Sequence, residues 1–267
     1  MTTLLDRLAA GAFAQAGHTF SRFLQPRSRP MQVIVAVTLA APLLAAQSPP
    51  IPRYEVKRAT TSPVIDGKLD EPSWTAAPSV TLQFLWENQK GAKQMTRARL
   101  LWDAQGLYIG FDADDADITA QFQQRDDPTY RDDAVEIFIN PNPQQEVVYY
   151  GFEMNARGTL YDYLNYNSRT LFKRFDATGV KIATSLRGTL NDRTDTDNGW
   201  SLEAQIPWAN FEELSRRPPA AGAVWKVNFN RWDGVEPNRR MSIWSDPQNN
   251  EAWPHVPSRF GEIVFVQ

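Results

Sequence analysis

The 267-residue chain contains no cysteine. That excludes disulfides, thiolate metal centres, a cysteine nucleophile and a lipid-modified cysteine anchor. Histidine is almost absent too, with His18 near the start and His255 near the end. A Ser–His–Asp triad has little to draw on, and no "GxSxG" turn accompanies it. "GxGxxG", "GxxxxGK" and "HExxH" are also missing, which leaves dinucleotide, phosphate-loop and zinc-protease chemistry without support. The apolar run "VIVAVTLAAPLLAA", Val33–Ala46, is broken by Pro42 and is too short to span a bilayer comfortably.

The first 46 residues hold one acid, Asp6, and four arginines, Arg7, Arg22, Arg27 and Arg29. Basic residues, an apolar run and small residues before the polar "QSPPIPRY" predict a secretory signal cut after Ala46. Residues 47–52 read as a stiff proline-rich linker, and 53–267 as one domain. The mature chain is expected to be exported, periplasmic or extracellular, with no membrane contact after signal removal. N-terminal sequencing of secreted protein should therefore start near Gln47; a retained Arg22–Ala46 would refute this. The remainder carries 24 basic and 30 acidic residues, a net charge of −6. That balance disfavours nucleic acid, which needs cationic patches to neutralise phosphates.

What is present is strand pattern. Eleven stretches, from "RYEVKRA" to "GEIVFV", alternate or run β-branched and aromatic, between turns such as "DAQG", "NPNPQQ", "NARG" and "DTDNG". Helical signals are limited to "DEPSWTAA" and "PWANFEELSRR". The fold class is all-β: an antiparallel, jelly-roll-like β-sandwich of about eleven strands with one or two short helices. With no crossover helices, parallel pairing is not expected.

Alternation separates the faces. Val135, Ile137 and Ile139 share one face of "DAVEIFIN", and Ala134, Glu136 and Phe138 the other. Tyr150, Phe152 and Met154 oppose Tyr149, Glu153 and Asn155 in the next stretch. In "VWKVNFNRW", Trp225, Val227, Phe229 and Arg231 oppose Lys226, Asn228, Asn230 and Trp232. A sheet face of amides, carboxylates and aromatics suits a polyol. A sugar ring stacks its C–H face on Trp or Tyr and bonds its hydroxyl rim to Asn, Gln, Asp, Glu or Arg, without any cofactor. "SDPQNNEAWPH" offers Trp253 with Asn249 and Asn250, and "DDPTYRDDAVE" offers Tyr130 and Glu136. Trp253, in a polar loop, should be displayed, whereas Trp244 in "MSIW" should pack inward. Acidic turns at "DGKLDE", "DADDAD" and "NDRTDTDNG" are candidate calcium ligands, since hard cations want clustered oxygens.

"VIDGKLDEPSW", "ARLLWDAQGLYIGFDADD", "DDAVEIFINP", "FEMNARGTLYD", "GWSLEAQIPW", "WKVNFNRW" and the closing "SIWSDPQNNEAWPHVPSRFGEIVF" occur in that order. Together they resemble the family 9 carbohydrate-binding modules, within the DOMON-like sandwich group, over Arg53 to Gln267. The resemblance implies a non-catalytic domain that clamps a sugar unit of a xylan- or cellulose-class chain between two aromatic rings. Tyr130 and Trp253 match the ring positions, Glu136 the strand carboxylate, and Asn249 and Asn250 the loop amides. It implies structural calcium at Asp115, with Asp66 and Asp70 as nearby candidates, and no organic cofactor. Tyr130 stands where tryptophan is usual, the "NNEAWPH" loop is one residue longer, and Glu153 replaces a basic sugar contact. The partner expected is an oligosaccharide or polysaccharide, bound by a monomer. Two alternatives are a glycoside hydrolase using carboxylates on the same face, and a haem-binding DOMON-type domain using His255 with Met95, Met154 or Met241.

Overall fold

The long central strands in the computed structural model follow the period-two pattern, one side chain towards the core and the next away from it. The structure describes residues 48–267 except 168, 169, 173, 174, 213 and 215. The secretory signal expected at 1–46 lies outside the described residues. The strands are β1 (Arg53–Arg58), β2 (Val80–Thr81), β3 (Thr96–Trp102), β4 (Gly106–Ala113), β5 (Ala134–Asn140), β6 (Tyr149–Asn155) and β7 (Leu160–Asn167). They continue with β8 (Thr170–Phe172), β9 (Lys181–Leu186), β10 (Trp200–Pro207), β11 (Val224–Asp233), β12 (Arg240–Ile243) and β13 (Gly261–Phe265). One short helix, α1 (Pro72–Ala76), interrupts them. Ser48–Pro52 has no regular structure.

One sheet runs β8-β7-β6-β5-β11-β13-β1, and the other β1-β3-β4-β10-β9; β12 pairs with β11, and β2 with β3. The pairings are antiparallel except at β1, which lies parallel to both β13 and β3. Parallel pairing was not anticipated. For β1 and β13 it arises without a crossover helix because they are the first and last strands, so the whole domain serves as the connection; between β1 and β3 the connection includes α1. Among its described residues, "PWANFEELSRR" forms a 3-10 turn, Trp208–Asn210. β8 and β12, short strands, were not legible as strands in the sequence.

The inward faces meet in one core. Val135, Ile137, Phe152, Met154, Val227 and Phe229 from the first sheet pack against Leu100, Ile109, Phe111, Trp200, Leu202 and Ile206 from the second. The two outward faces are treated differently. On the second sheet, α1 lays Trp74 over Leu101 and Tyr108, and its indole donates to Glu203 at 2.6 Å. The outer face of the first sheet carries Phe138, Tyr149, Tyr161, Tyr163 and Phe260 and is covered by loops instead of a helix. A cavity opens there.

Candidate carbohydrate-binding site

The floor of the cavity is one register row. Glu136 on β5 pairs across to Glu153 on β6 and to Asn230 on β11, and Glu153 pairs to Tyr161 on β7. Alternation put these residues on the outward face, and directly opposed cross-strand side chains are near neighbours. The next row holds Phe138, Gly151 and Tyr163. A Cβ at Gly151 would lie 2.2 Å from the Tyr163 ring, so only glycine lets that ring lie across β6.

The walls come from loops and strand ends. Tyr130 follows Thr129 in a short 3-10 turn before β5 and packs edge-on against Tyr161, with centroids 5.9 Å apart. Trp232, Trp253, Pro254 and His255 complete a cavity of about 280 Å³ that also presents Glu136, Glu153 and Tyr163. Trp253 is 51% exposed, whereas Trp244 is 5% exposed and sits in the core against Phe229.

His255 seats the loop on the sheet. Its ring stacks on Phe138 at 4.8 Å with 19° between planes, and Trp253 leans on it at 4.5 Å. Its Nδ1 is 2.6 Å from the Tyr149 hydroxyl. Burial pushes the imidazole down to about 4 and the Tyr149 phenol well up, so at neutral pH both groups are uncharged and share one hydrogen bond. An unfolded histidine titrates near 6.5. Because the folded value is the lower, the neutral ring stabilises the fold above 6.5 and that contribution is lost as pH falls towards 4. The stability gap between the wild type and His255→Gln, read from urea unfolding, should narrow across that window.

Burial also acts on the floor. Glu136 is pushed up to about 7 by desolvation, opposed by Arg239 and by Asn230, whose Nδ2 donates to it at 3.2 Å. Glu153 is raised well above the usual carboxylate range by burial and then by Glu136. Two carboxyls this close cannot both ionise easily, so the pair retains one proton near neutral pH. The Tyr163 hydroxyl faces Glu153, yet neither it nor Glu153 Oε2 makes a hydrogen bond of acceptable geometry.

The structure thus brings Tyr130, Glu136 and Trp253 to one cavity and leaves Asn249 and Asn250 off its lining. Asn249 shapes the loop: its Nδ2 donates to the Trp253 carbonyl at 2.8 Å, and its own carbonyl accepts from the Trp86 indole at 3.2 Å. Asn250 is exposed. Glu153, Tyr161, Tyr163, Trp232 and His255 were not nominated as contacts. The alternation of Tyr161 and Tyr163 around Asp162 was the available signal; for His255, nothing local marks a loop residue that folds back onto a sheet. The haem ligands are not assembled, since Met154 lies on the core face of β6 and His255 on the other side of that sheet. A larger cleft of about 860 Å³ borders Val148, Leu164, Phe175 and Asn210. Its acids, Asp176 and Glu212, are exposed, and Asp176 is already paired with Arg125 at 3.3 Å.

For calcium, Asp115 gathers with Asp133 and Asp233, their oxygens within 4.8 Å of one another and all three buried. Arg231, on the core face of β11, reaches into this group. Its Nη2 donates to Asp115 at 2.9 Å and to Asp233 at 2.5 Å, and Nη1 takes the Asp114 carbonyl at 2.7 Å. Asp133 accepts from the Thr119 and Gly234 amides at 2.6 and 2.5 Å. The donor set is closed by a guanidinium and does not fit an open oxygen cage. Asp66 and Asp70 are exposed, outside that group, and Asp66 pairs with Lys68 at 3.4 Å.

The family model "Carbohydrate family 9 binding domain-like" matches residues 65–267. The chain belongs to this family. The family 9 domain is also similar to solved structures, at 21% identity in each case. A candidate carbohydrate-binding protein from Bacteroides uniformis aligns with a TM-score of 0.68, covering 81% of this chain and 100% of that one. A family 9 module from Caldicellulosiruptor kristjanssonii aligns in its cellotriose complex at 0.57, covering 80% and 93%. Its glucose complex aligns at 0.56, covering 79% and 95%. None of the curated proteins compared with the chain matches it. At this identity the structures establish the sandwich fold of the family 9 domain.

Proposed function

We propose that this family 9 domain binds a single sugar ring of a xylan- or cellulose-class chain in the cavity on the outer face of its first sheet. In this reading the ring lies between Tyr130 and Trp253, while Glu136 bonds the hydroxyl rim. The observation that carries it is the meeting of an exposed tryptophan, a half-buried tyrosine and buried carboxyls around about 280 Å³, against a sheet whose other face is core. That volume is at the small end for ligand pockets, which suits one ring. Flat aromatic faces take the C–H surface of a pyranose, and the acids take hydroxyl protons. The cellotriose and glucose complexes of the Caldicellulosiruptor module lend support. Calorimetric titration of the purified chain with xylo- and cello-oligosaccharides tests it: saturable heat is expected, and its absence for both series would sink the reading.

The paired carboxyls favour one other reading, glycoside hydrolysis, because one protonated and one ionised acid is what that chemistry uses. Glu136 and Glu153 rise from adjacent strands of one sheet face, however, and so meet a ligand from the same side. Hydrolysis needs acids flanking the scissile bond. Reducing-sugar release from xylan or cellulose by the purified chain would put this reading first.

A further inference from the structure

The inference rests on the sugar-binding reading above and concerns which sugar the cavity prefers. Its floor carries two acids and no basic side chain. Glu136 and Glu153 are both almost wholly buried, at 2% and 3% exposure, and stand directly opposite one another on β5 and β6. Asn230 spends its amide protons on Glu136, and its Oδ1 has no partner. Glu153 Oε2, also without a hydrogen bond, belongs to a side chain lining the cavity. No lysine or arginine is among the residues lining the cavity. Arg239 is the nearby cation: it lies 4.0 Å from the Trp232 ring centre and offsets one of the two charges. The second is met only by a retained proton. Around this floor stand the rings of Tyr130, Tyr161, Tyr163, Trp232 and Trp253.

We infer that Glu136 and Glu153 make this cavity prefer a sugar ring carrying a protonated amine over the same ring carrying a hydroxyl, and reject one carrying a carboxylate. An ammonium supplies three donors where a hydroxyl supplies one, and a carboxylate near neutral pH supplies none. Its hydrogen bonds to an ionised acid are charge-assisted, and an aromatic wall attracts the cation through its ring faces. When the amine enters, the proton retained by the pair of acids leaves to solvent, so the added charge is met one for one. A sugar carboxylate would place a third acid beside two buried ones, at the cost of repulsion and of desolvation without a partner.

Titration calorimetry on the purified chain near neutral pH decides the matter. The probes are glucose, its analogues with an amine on carbon 2 or on the exocyclic carbon 6, and glucuronate. At least one amino sugar should bind about tenfold more tightly than glucose, and glucuronate should show no measurable heat. Glu153→Gln keeps the shape and removes a buried charge; whatever it does to glucose affinity itself, the ratio of amino-sugar to glucose affinity measured on that variant should fall to about twofold or less. Glucose binding with no amine advantage overturns the inference and leaves the sugar-binding reading standing. An advantage that survives Glu153→Gln overturns the assignment to this pair. Failure of every sugar to bind removes the underlying reading, and the inference with it.

Discussion

Trp253→Ala is expected to remove most of the sugar affinity while the melting curve stays near that of the wild type. Half of the ring is exposed, and the loop beneath it is held by other groups: the Asn249 side chain, the Trp86 indole and the seated ring of His255. Tyr130→Ala should act likewise. Glu136→Gln should weaken binding less, because one charge-assisted hydrogen bond goes while the stacking remains. Trp244→Ala is the contrast. That ring is buried against Phe229, and a Cβ at Gly261 would come within 2.2 Å of it, so the backbone beneath has been cleared for it. Its loss should cost about 3–5 kcal/mol of stability. Oligosaccharide titration beside thermal melting of each variant separates the two roles. If Trp253→Ala binds normally but melts early, the loop tryptophan is a structural plug.

Arg231→Met should damage the fold about as much as Trp244→Ala. Arg231 is fully buried among Asp115, Asp133 and Asp233, which carry three acids against its one charge. Burial and the neighbouring carboxylates already raise Asp133 well above its ordinary range and push Asp233 up to about 6. Removing the cation leaves buried carboxylates uncompensated, which typically costs about 3–5 kcal/mol. Urea unfolding of the variant measures this. We propose that the same guanidinium makes a structural calcium at Asp115 unnecessary, so excess chelator should leave the wild-type melting temperature unchanged. A fall on chelation would show that an ion stabilises the native state.

The sequence by itself determined the class of fold and the face that carries the site. Period-two alternation in β5, β6 and β11 separated Val135, Phe152 and Phe229 from Glu136, Glu153 and Asn230, because a strand has only two sides and water sorts its residues between them. The placement of Trp244 inward and Trp253 outward was legible for the same reason, from an apolar neighbourhood in one case and a polar loop in the other. Tertiary structure decided what stands next to what. Register alone sets Glu136 opposite Glu153, and with it the upward push that burial and the neighbouring Glu136 give the Glu153 carboxyl, and the two-acid floor. Arg231 continues the apolar face of Trp225, Val227 and Phe229, where Asp233 of its own strand and the approach of Asp115 and Asp133 from distant turns make a buried guanidinium tolerable. His255, between two proline-containing turns, had no strand pattern to declare its side, and it becomes the anchor of the Trp253 loop only because that loop folds back over Phe138. Local pattern reports which side of a strand faces water; the partner that a side chain meets across strands and loops is fixed by how the chain closes on itself.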